Sequence, residues 1–361
     1  MITLFLGLMA ALCLITTILP LVPYSHGAFR VWEFPRLQSF LISTSVLAAS
    51  LWLLPYNAVG ITIINAALLA SMVQLAHIFR YSPLWPFKSR RWDGDTKGHP
   101  NLRLLIANVK QGNRDYEPLK ALLEEHEPDV AVFMETDQDW TDALGEVTGD
   151  YPFRLERPLD NSYGMLLVSR VSVIEHQVEE LVKKGVPSFH LTMAFESGQH
   201  FRLIAIHPEP PLVHRPSVAR DAEIILVARK VAQEPLPVIV TGDLNDVAWS
   251  KTTRRFLRFS KLVDPREGRG LFSSFDARYW FLRWPLDHVF YSPQFSFVNM
   301  QRLPFTGSDH FPMLFDFVLT QATDDPVQLE AASRFEEVIA DQVVEEASEL
   351  DEPPVGEEWE K

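Results

Sequence analysis

Polar residues in this chain recur where apolar runs stop, and together their side chains could handle a phosphate ester. Val238-Ile239-Val240 is a β-branched run of the kind that fills a buried strand, and it ends Thr241-Gly242-Asp243-Leu244-Asn245. Gly242 lets the backbone turn as the strand leaves its sheet, and period two points Asp243 and Asn245 the same way. On its own Gly-Asp is also a common turn pair. The pattern repeats, however, at Asn108, Glu135, His207, Asp287-His288 and Ser308-Asp309-His310. Loops at strand ends are where a rigid sheet can aim side chains at a shared point. If these ends converge, they offer several carboxylates, two amides and at least two imidazoles, with no nucleophilic Cys. That inventory suits a hard divalent cation such as Mg2+, held by oxygen ligands and acting on a phosphate ester. His288 is set aside, because period two turns it away from its neighbour Asp287.

The elements that would carry these residues form an α/β alternation from Leu102 onward. Strands are predicted at Leu102 to Val109, Asp129 to Met134, Gly164 to Ser169, Phe189 to Phe195, Phe201 to Ile206 and from Val238. Helices are predicted at Tyr116 to Glu127 and Ser217 to Gln233, and short strands near Asp287 to Tyr291, Phe295 to Arg302 and Phe311 to Leu319 close the domain. Each isolated residue has a plainer reading: Asn108 as a turn former, Glu135 as a helix N-terminal cap, His207-Pro208 as a rigid strand exit. Their joint occurrence at strand ends favours the site.

Hydrophobic residues make up 47% of the 361, the high end of globular usage, which points to part of the chain lying in lipid. Residues 2–22 contain no Asp, Glu, Lys or Arg, and a run of roughly 20 such residues crosses a bilayer as a helix. A cleaved signal peptide is the competing reading, but the n-region lacks Lys and Arg and no small-residue cleavage pattern follows. Beyond Arg30, Glu33 and Arg36, residues 37–79 again lack all four charged types, enough for two spans hinged at Pro55-Tyr56-Asn57. Residues 1–80 are therefore expected to be a membrane anchor of three transmembrane helices, followed by a juxtamembrane linker at 81–100. There Arg80, Lys88, Arg90 and Arg91 lie beside Trp85 and Trp92. The Lys and Arg excess places the large domain in the cytoplasm, in a multi-pass protein of the cell (inner) membrane.

The net charge of −14 belongs mostly to residues 321–361, which hold fourteen acidic and two basic side chains. This acidic tail is expected to be disordered, with Leu329, Phe335, Val338, Ile339 and Leu350 offering a helical stripe to a protein partner. Cys13 is the single cysteine, so intrachain disulfides and Cys/His zinc clusters are excluded.

Asn108, Met134-Glu135, His207-Pro208, Gly242-Asp243-Leu244-Asn245, Leu286-Asp287-His288-Val289 and Gly307-Ser308-Asp309-His310-Phe311-Pro312 stand in the order seen in the endonuclease/exonuclease/phosphatase superfamily. Residues 101–320 resemble that superfamily, which includes deoxyribonuclease I-like nucleases, AP endonucleases, sphingomyelinases and inositol phosphate phosphatases. The chain looks like a membrane-anchored, bacterial-type member. The resemblance implies an α/β fold, a four-layer αββα sandwich with two packed, mainly antiparallel sheets, here preceded by about three transmembrane helices. It implies Glu135 as the principal Mg2+ ligand, with Asn108 and Asp309 completing or hydrating the metal shell and Mn2+ as the alternative ion. Asp243 would orient and deprotonate the attacking water, and Asn245 would donate to the phosphoryl oxygens. His310 would contact the scissile phosphate, held charged and oriented by Asp287, and His207 would be the second imidazole.

The implied activity is a metal-dependent, nuclease-like phosphoric ester hydrolase that attacks a phosphodiester or phosphomonoester with water. AP endonucleases usually carry Tyr where His207 stands, which argues against abasic-site repair. The substrate is then a nucleic acid or a lipid headgroup, and the expected anchor partners the lipid bilayer. Arg254, Arg255 and Arg258 could grip a phosphate backbone but read more simply as a solvated face. An inactive membrane scaffold on the same fold would be expected to lack some of Glu135, Asp243, Asn245 or His310, and all are present.

Overall fold

The computed structural model of the chain describes residues 1–22, 24–320, 329–350 and 352–356. Helices come first: α1 (Ile2–Ile18), the one-turn α2 (Gly27–Arg30), α3 (Arg36–Leu53) and α4 (Ala58–Ile78). The three long ones pack through Leu6, Ala10, Val46, Ile63 and Ala67. Two stretches, Ile2–Leu21 and Ala58–Tyr81, are long and apolar enough to cross a membrane. The expected third is not, because Arg36, Gln38 and a series of Ser and Thr dilute the apolar content of α3. The first stretch lies at the N-terminus, where a signal segment has the same composition. Leu4, Leu8 and Leu12 of α1 and Leu68, Leu69 and Met72 of α4 are exposed on the bundle surface.

The α/β domain is built from β1 (Asn101–Asn108), α5 (Glu117–His126), β2 (Val130–Met134), α6 (Gln138–Gly145), β3 (Phe153–Arg157), β4 (Met165–Ser169), β5 (Ser172–Glu179), β6 (Ser188–Ala194), β7 (His200–Ala205), α7 (Val218–Ala232), β8 (Val238–Asp243), α8 (Lys251–Ser260), β9 (Asp287–Tyr291), β10 (Phe295–Arg302) and β11 (Met313–Leu319). One sheet has the order β10-β11-β1-β2-β4-β3 and the other β5-β6-β7-β8-β9. Only β1–β2 and β7–β8 are parallel, so both sheets are mixed. Period two sorts their side chains. Leu102, Leu104 and Ile106 face the core between the sheets, whereas Leu105 and Ala107 face α5 and α6. On β8, Ile239 points inward to the same core, while Val238 and Val240 pack under α7 and α8. The result is helix, sheet, sheet, helix, with the inter-sheet core at the centre.

Disorder does not hold through the whole acidic tail. Residues 334–348 form α9 (Arg334–Ser348), opened by a capping box between Ser333 and Glu336. Ala340, Val343 and Ala347 pack on Val218, Ala222 and Ile225 of α7. Residues 321–328, 351 and 357–361 of that tail lie outside the described residues. The Arg cluster on α8 is not a solvated face but is used here: Arg254 pairs with Glu267 at 2.5 Å and Glu330 at 3.1 Å, and Arg258 pairs with Glu336. Arg80 and Lys88 also reach Glu330, at 2.9 and 3.3 Å, so part of the basic excess after α4 is neutralised within the fold.

Candidate active site

The two parallel strand pairs decide where the polar residues meet. β1 and β2 run side by side to Asn108 and Met134, so Asn108 and Glu135 leave the first sheet together. In the second sheet Asp243 lies opposite Asp287 in the antiparallel register of β8 and β9. Only glycine fits at position 242, since its φ is +136° and a Cβ there would lie 1.9 Å from the Ile206 carbonyl oxygen.

Asn108 joins the sheets: its Nδ2 donates to Glu135 Oε1 at 2.8 Å and to Asp243 Oδ2 at 3.0 Å. Asp243 Oδ1 accepts from the Asn245 backbone N–H at 2.8 Å. His310 places Nε2 3.5 Å from Asp243 Oδ2 and binds Asp287 Oδ2 through Nδ1 at 2.7 Å. His207 Nε2 lies 3.8 Å from the same Asp243 oxygen and 3.3 Å from Asn245 Nδ2. Ser308 secures this edge, donating to Asn108 O at 2.8 Å and accepting from His310 N at 3.0 Å. Lys110, Glu135 and Asn245 all sit in the left-handed region, with φ of 58°, 61° and 50°. Non-glycine residues held there cost on the order of 1 kcal/mol or more each, a cost the surrounding hydrogen bonds must offset.

Burial sets the electrostatics. Desolvation pushes Glu135 up to about 7, the Asn108 hydrogen bond opposing it. It also pushes Asp243 up to about 6, against the neighbouring His310 charge. For His310, burial opposes the charge, but Asp287 and Asp243 outweigh it and raise the imidazole to about 10. His207 goes the other way, lowered to about 3 by burial and by His310. The floor is therefore a charged imidazole beside two crowded carboxyls, with a neutral imidazole opposite.

Asp243, Asp287 and His310 bring ligand atoms within 4.8 Å of one another, a grouping with the composition of a divalent-metal site. His310 within that trio is already bonded to Asp287 and favours its proton, so it makes a poor metal ligand. The Glu135 side of Asp243 is the better fit. The half-buried Glu135 and the buried Asp243, both raised by desolvation, share the Asn108 amide there, and a cation between them would relieve the penalty. Asp309 stands slightly apart, bound to Lys110 Nζ at 3.0 Å with Arg278 at 3.6 Å.

All eight sequence-predicted residues thus reach one edge of the sandwich. His288 is turned away as expected, its Nε2 2.8 Å from Asp246 O. Lys110 and Arg278 were missed, although Lys110 follows Asn108 at period two. Arg220 was missed as well: it is 1% exposed, and its Nη1 donates to the Asn245 carbonyl at 3.0 Å. Nothing in the local sequence separates it from an ordinary helix-surface charge.

A family model described as the endonuclease/exonuclease/phosphatase family matches residues 101–310. Among curated proteins none matches the sequence. Solved structures share the fold at low identity. An endonuclease/exonuclease/phosphatase from Beutenbergia cavernae is 18% identical over 63% of this chain and 73% of its own, with TM-score 0.52. TDP2 of D. rerio, solved with a single-strand DNA product, is 17% identical over 60% of this chain and 98% of its own, with TM-score 0.50. A mannosyl-6-phosphatase from Bacteroides thetaiotaomicron is 19% identical over 60% of this chain and 99% of its own, with TM-score 0.50.

Proposed function

The chain belongs to the endonuclease/exonuclease/phosphatase family of metal-dependent phosphoesterases, and from that premise we propose how its own residues divide the work. Asp243 takes a proton from the attacking water, its Oδ1 fixed by the Asn245 amide. The charged His310, and Asn245 Nδ2 through the proton it otherwise gives to Pro208 O at 2.9 Å, donate to the phosphoryl oxygens as negative charge builds on them, and Asp287 holds the His310 ring in place. His207, neutral and 3.3 Å from Asn245, orients that amide from the far side. A divalent cation, Mg2+ or alternatively Mn2+, held by Glu135 with Asn108 and Asp309 beside it, would supply charge neutralisation at the phosphoryl group. Water attacks in line and no covalent enzyme intermediate forms.

The observation that carries this reading is the Asn108 amide, which draws Glu135 of one sheet and Asp243 of the other onto one point beside the Asp287–His310 pair. The reaction is hydrolysis of a phosphodiester or phosphomonoester, and relatives of this fold are described both with DNA product and as a sugar phosphatase. The same proposal tethers residues 101–320 to a membrane through the N-terminal helices, supported by their apolar outer faces. The test uses the full chain in detergent, assayed on bis-p-nitrophenyl phosphate with Mg2+ and with EDTA. Activity that EDTA removes and Mg2+ restores is expected; hydrolysis indifferent to EDTA, or none in any condition, overturns the assignment.

A further inference from the structure

Above the floor lies a cavity of about 660 Å3 whose walls the hydrolytic reading leaves unused. Glu135, Asp243 and His310 form its base, while Trp32 and Phe34 come from the link between α1 and α3, and Leu282 and Trp284 from the loop before β9. These walls are apolar and bring no cation. Among the described residues Lys110 is the one Lys or Arg that lines the cavity, and it is bound to Asp309; the charged His310 belongs to the floor. A site for a nucleic-acid backbone would be expected to set Lys and Arg along its wall.

The link is a fixed part of the fold. Gly27 lies against the 212–215 loop so closely that a Cβ would stand 1.7 Å from the Leu212 carbonyl oxygen, and its N–H donates to Arg215 O at 2.9 Å. Arg30 meets Asp221 at 3.1 Å, and Trp249 Nε1 donates to Glu33 O at 2.6 Å. Phe34 packs edge-on to Trp284 at 5.8 Å, closing the roof over the site. Beyond that wall the loop carries Trp280, 82% exposed, and Phe281, whose carbonyl accepts from Gln38 in the first turn of α3 at 2.9 Å. The apolar lining therefore continues from the catalytic floor past two exposed aromatics to the foot of the helix bundle.

We propose that the substrate is a phosphate ester carrying a hydrocarbon chain, a lipid phosphate, with its phosphoryl group on the Asp243–His310 floor and its chain along the Trp32–Phe34–Trp284 wall. This rests on the phosphoesterase reading above and adds the substrate class to it. Burying methylenes along that wall strengthens binding by a roughly constant factor per carbon until the cavity is filled.

The experiment measures kcat/KM of the full chain, at one fixed concentration of one detergent, for p-nitrophenyl methyl, butyl and octyl phosphates and for a single-stranded oligonucleotide. A rise of about threefold per methylene is expected over the first carbons. Trp32→Ala should cut the octyl-to-methyl ratio at least about tenfold, and Leu282→Asp, in the loop before β9 that also lines the cavity, repeats the measurement should Trp32→Ala unfold. Equal kcat/KM for methyl and octyl esters, or an oligonucleotide cleaved faster than the octyl ester, overturns the lipid inference and leaves the hydrolase intact. If no ester is cleaved with metal, the hydrolase reading fails, and quenching of tryptophan fluorescence by octylphosphonate against methylphosphonate still decides the wall: equal affinities overturn it.

Discussion

The floor and the roof of this cavity are held by opposite means. On the floor, hydrogen bonds from the Asn108 amide and the His310 imidazole hold the carboxylates in place, and three residues accept left-handed backbone there. The roof is held by close packing of Gly27, Phe34 and Trp284 and by one buried charge cluster beneath it. The difference separates chemistry from selection: a change in the roof alters what enters without moving a reacting group, whereas any change on the floor alters the reaction. Arg220 is the exception that links the two. It binds the Asn245 carbonyl on one side and Asp221 at 2.8 Å on the other, and Asp221 also holds Arg30 of the roof.

The sharpest test of the contrast is Asp243→Ala, which should lower kcat by about 10³-fold or more in a chain that still melts cooperatively, read from steady-state rates and a thermal melt. A loss below about tenfold would move the base elsewhere. Arg220→Ala comes next: it leaves Asp221 and Asp246 buried with one fewer partner and should cost about 3–5 kcal/mol in denaturant unfolding, with activity falling as well. An effect on stability alone would show that floor and roof are uncoupled. Asp287→Asn keeps the shape of the His310 partner while removing its charge, and a drop in kcat of about 10²-fold is expected.

The smallest effect lies one helical turn from Arg220. Glu223 is buried with Oε1 unpartnered, and desolvation, reinforced by Glu209, raises it to about 8. The folded chain keeps that proton up to about pH 8, whereas an unfolded Glu releases it near 4.3. Folding therefore takes up a proton, and stability falls as pH rises through that window. Glu223→Gln should remove most of that slope, so that its stability relative to wild type rises between pH 5 and pH 8.5. Parallel pH dependence in the two proteins would refute the assignment.

Most of the floor was legible because period two and a terminating glycine mark a strand end, and Asn108, Glu135, Asp243 and His310 each stand at one. The roof was not legible, because Trp32 and Phe34 sit in a stretch that reads only as a link between apolar helices. The edge strand β5 escaped for a related reason: it is largely solvent-exposed, so its residues show no apolar alternation. The acidic tail misled through its net charge. What composition could not show is that Arg254 and Arg258 stand ready to neutralise Glu330 and Glu336, or that α7 presents an apolar face to Ala340 and Val343. Similarly, two uncharged stretches predicted three spans, but hydroxyl-rich α3 is the least apolar of the three helices and hydrogen-bonds its neighbour through Ser43 and Ser71 at 2.9 Å.

The ion pair between Arg30 and Asp221 bridges 191 residues of chain. During synthesis, at about 5–20 residues per second, Arg30 is made roughly 10 to 40 seconds before its partner exists. Until then the link lacks the partners that hold it, Asp221 on α7 and the Trp249 indole, and it can seat only once they are in place. Closure over the catalytic edge is in this sense a late step of maturation, so a ribosome-stalled chain ending before Asp221 should carry formed helices and an open, uncovered link.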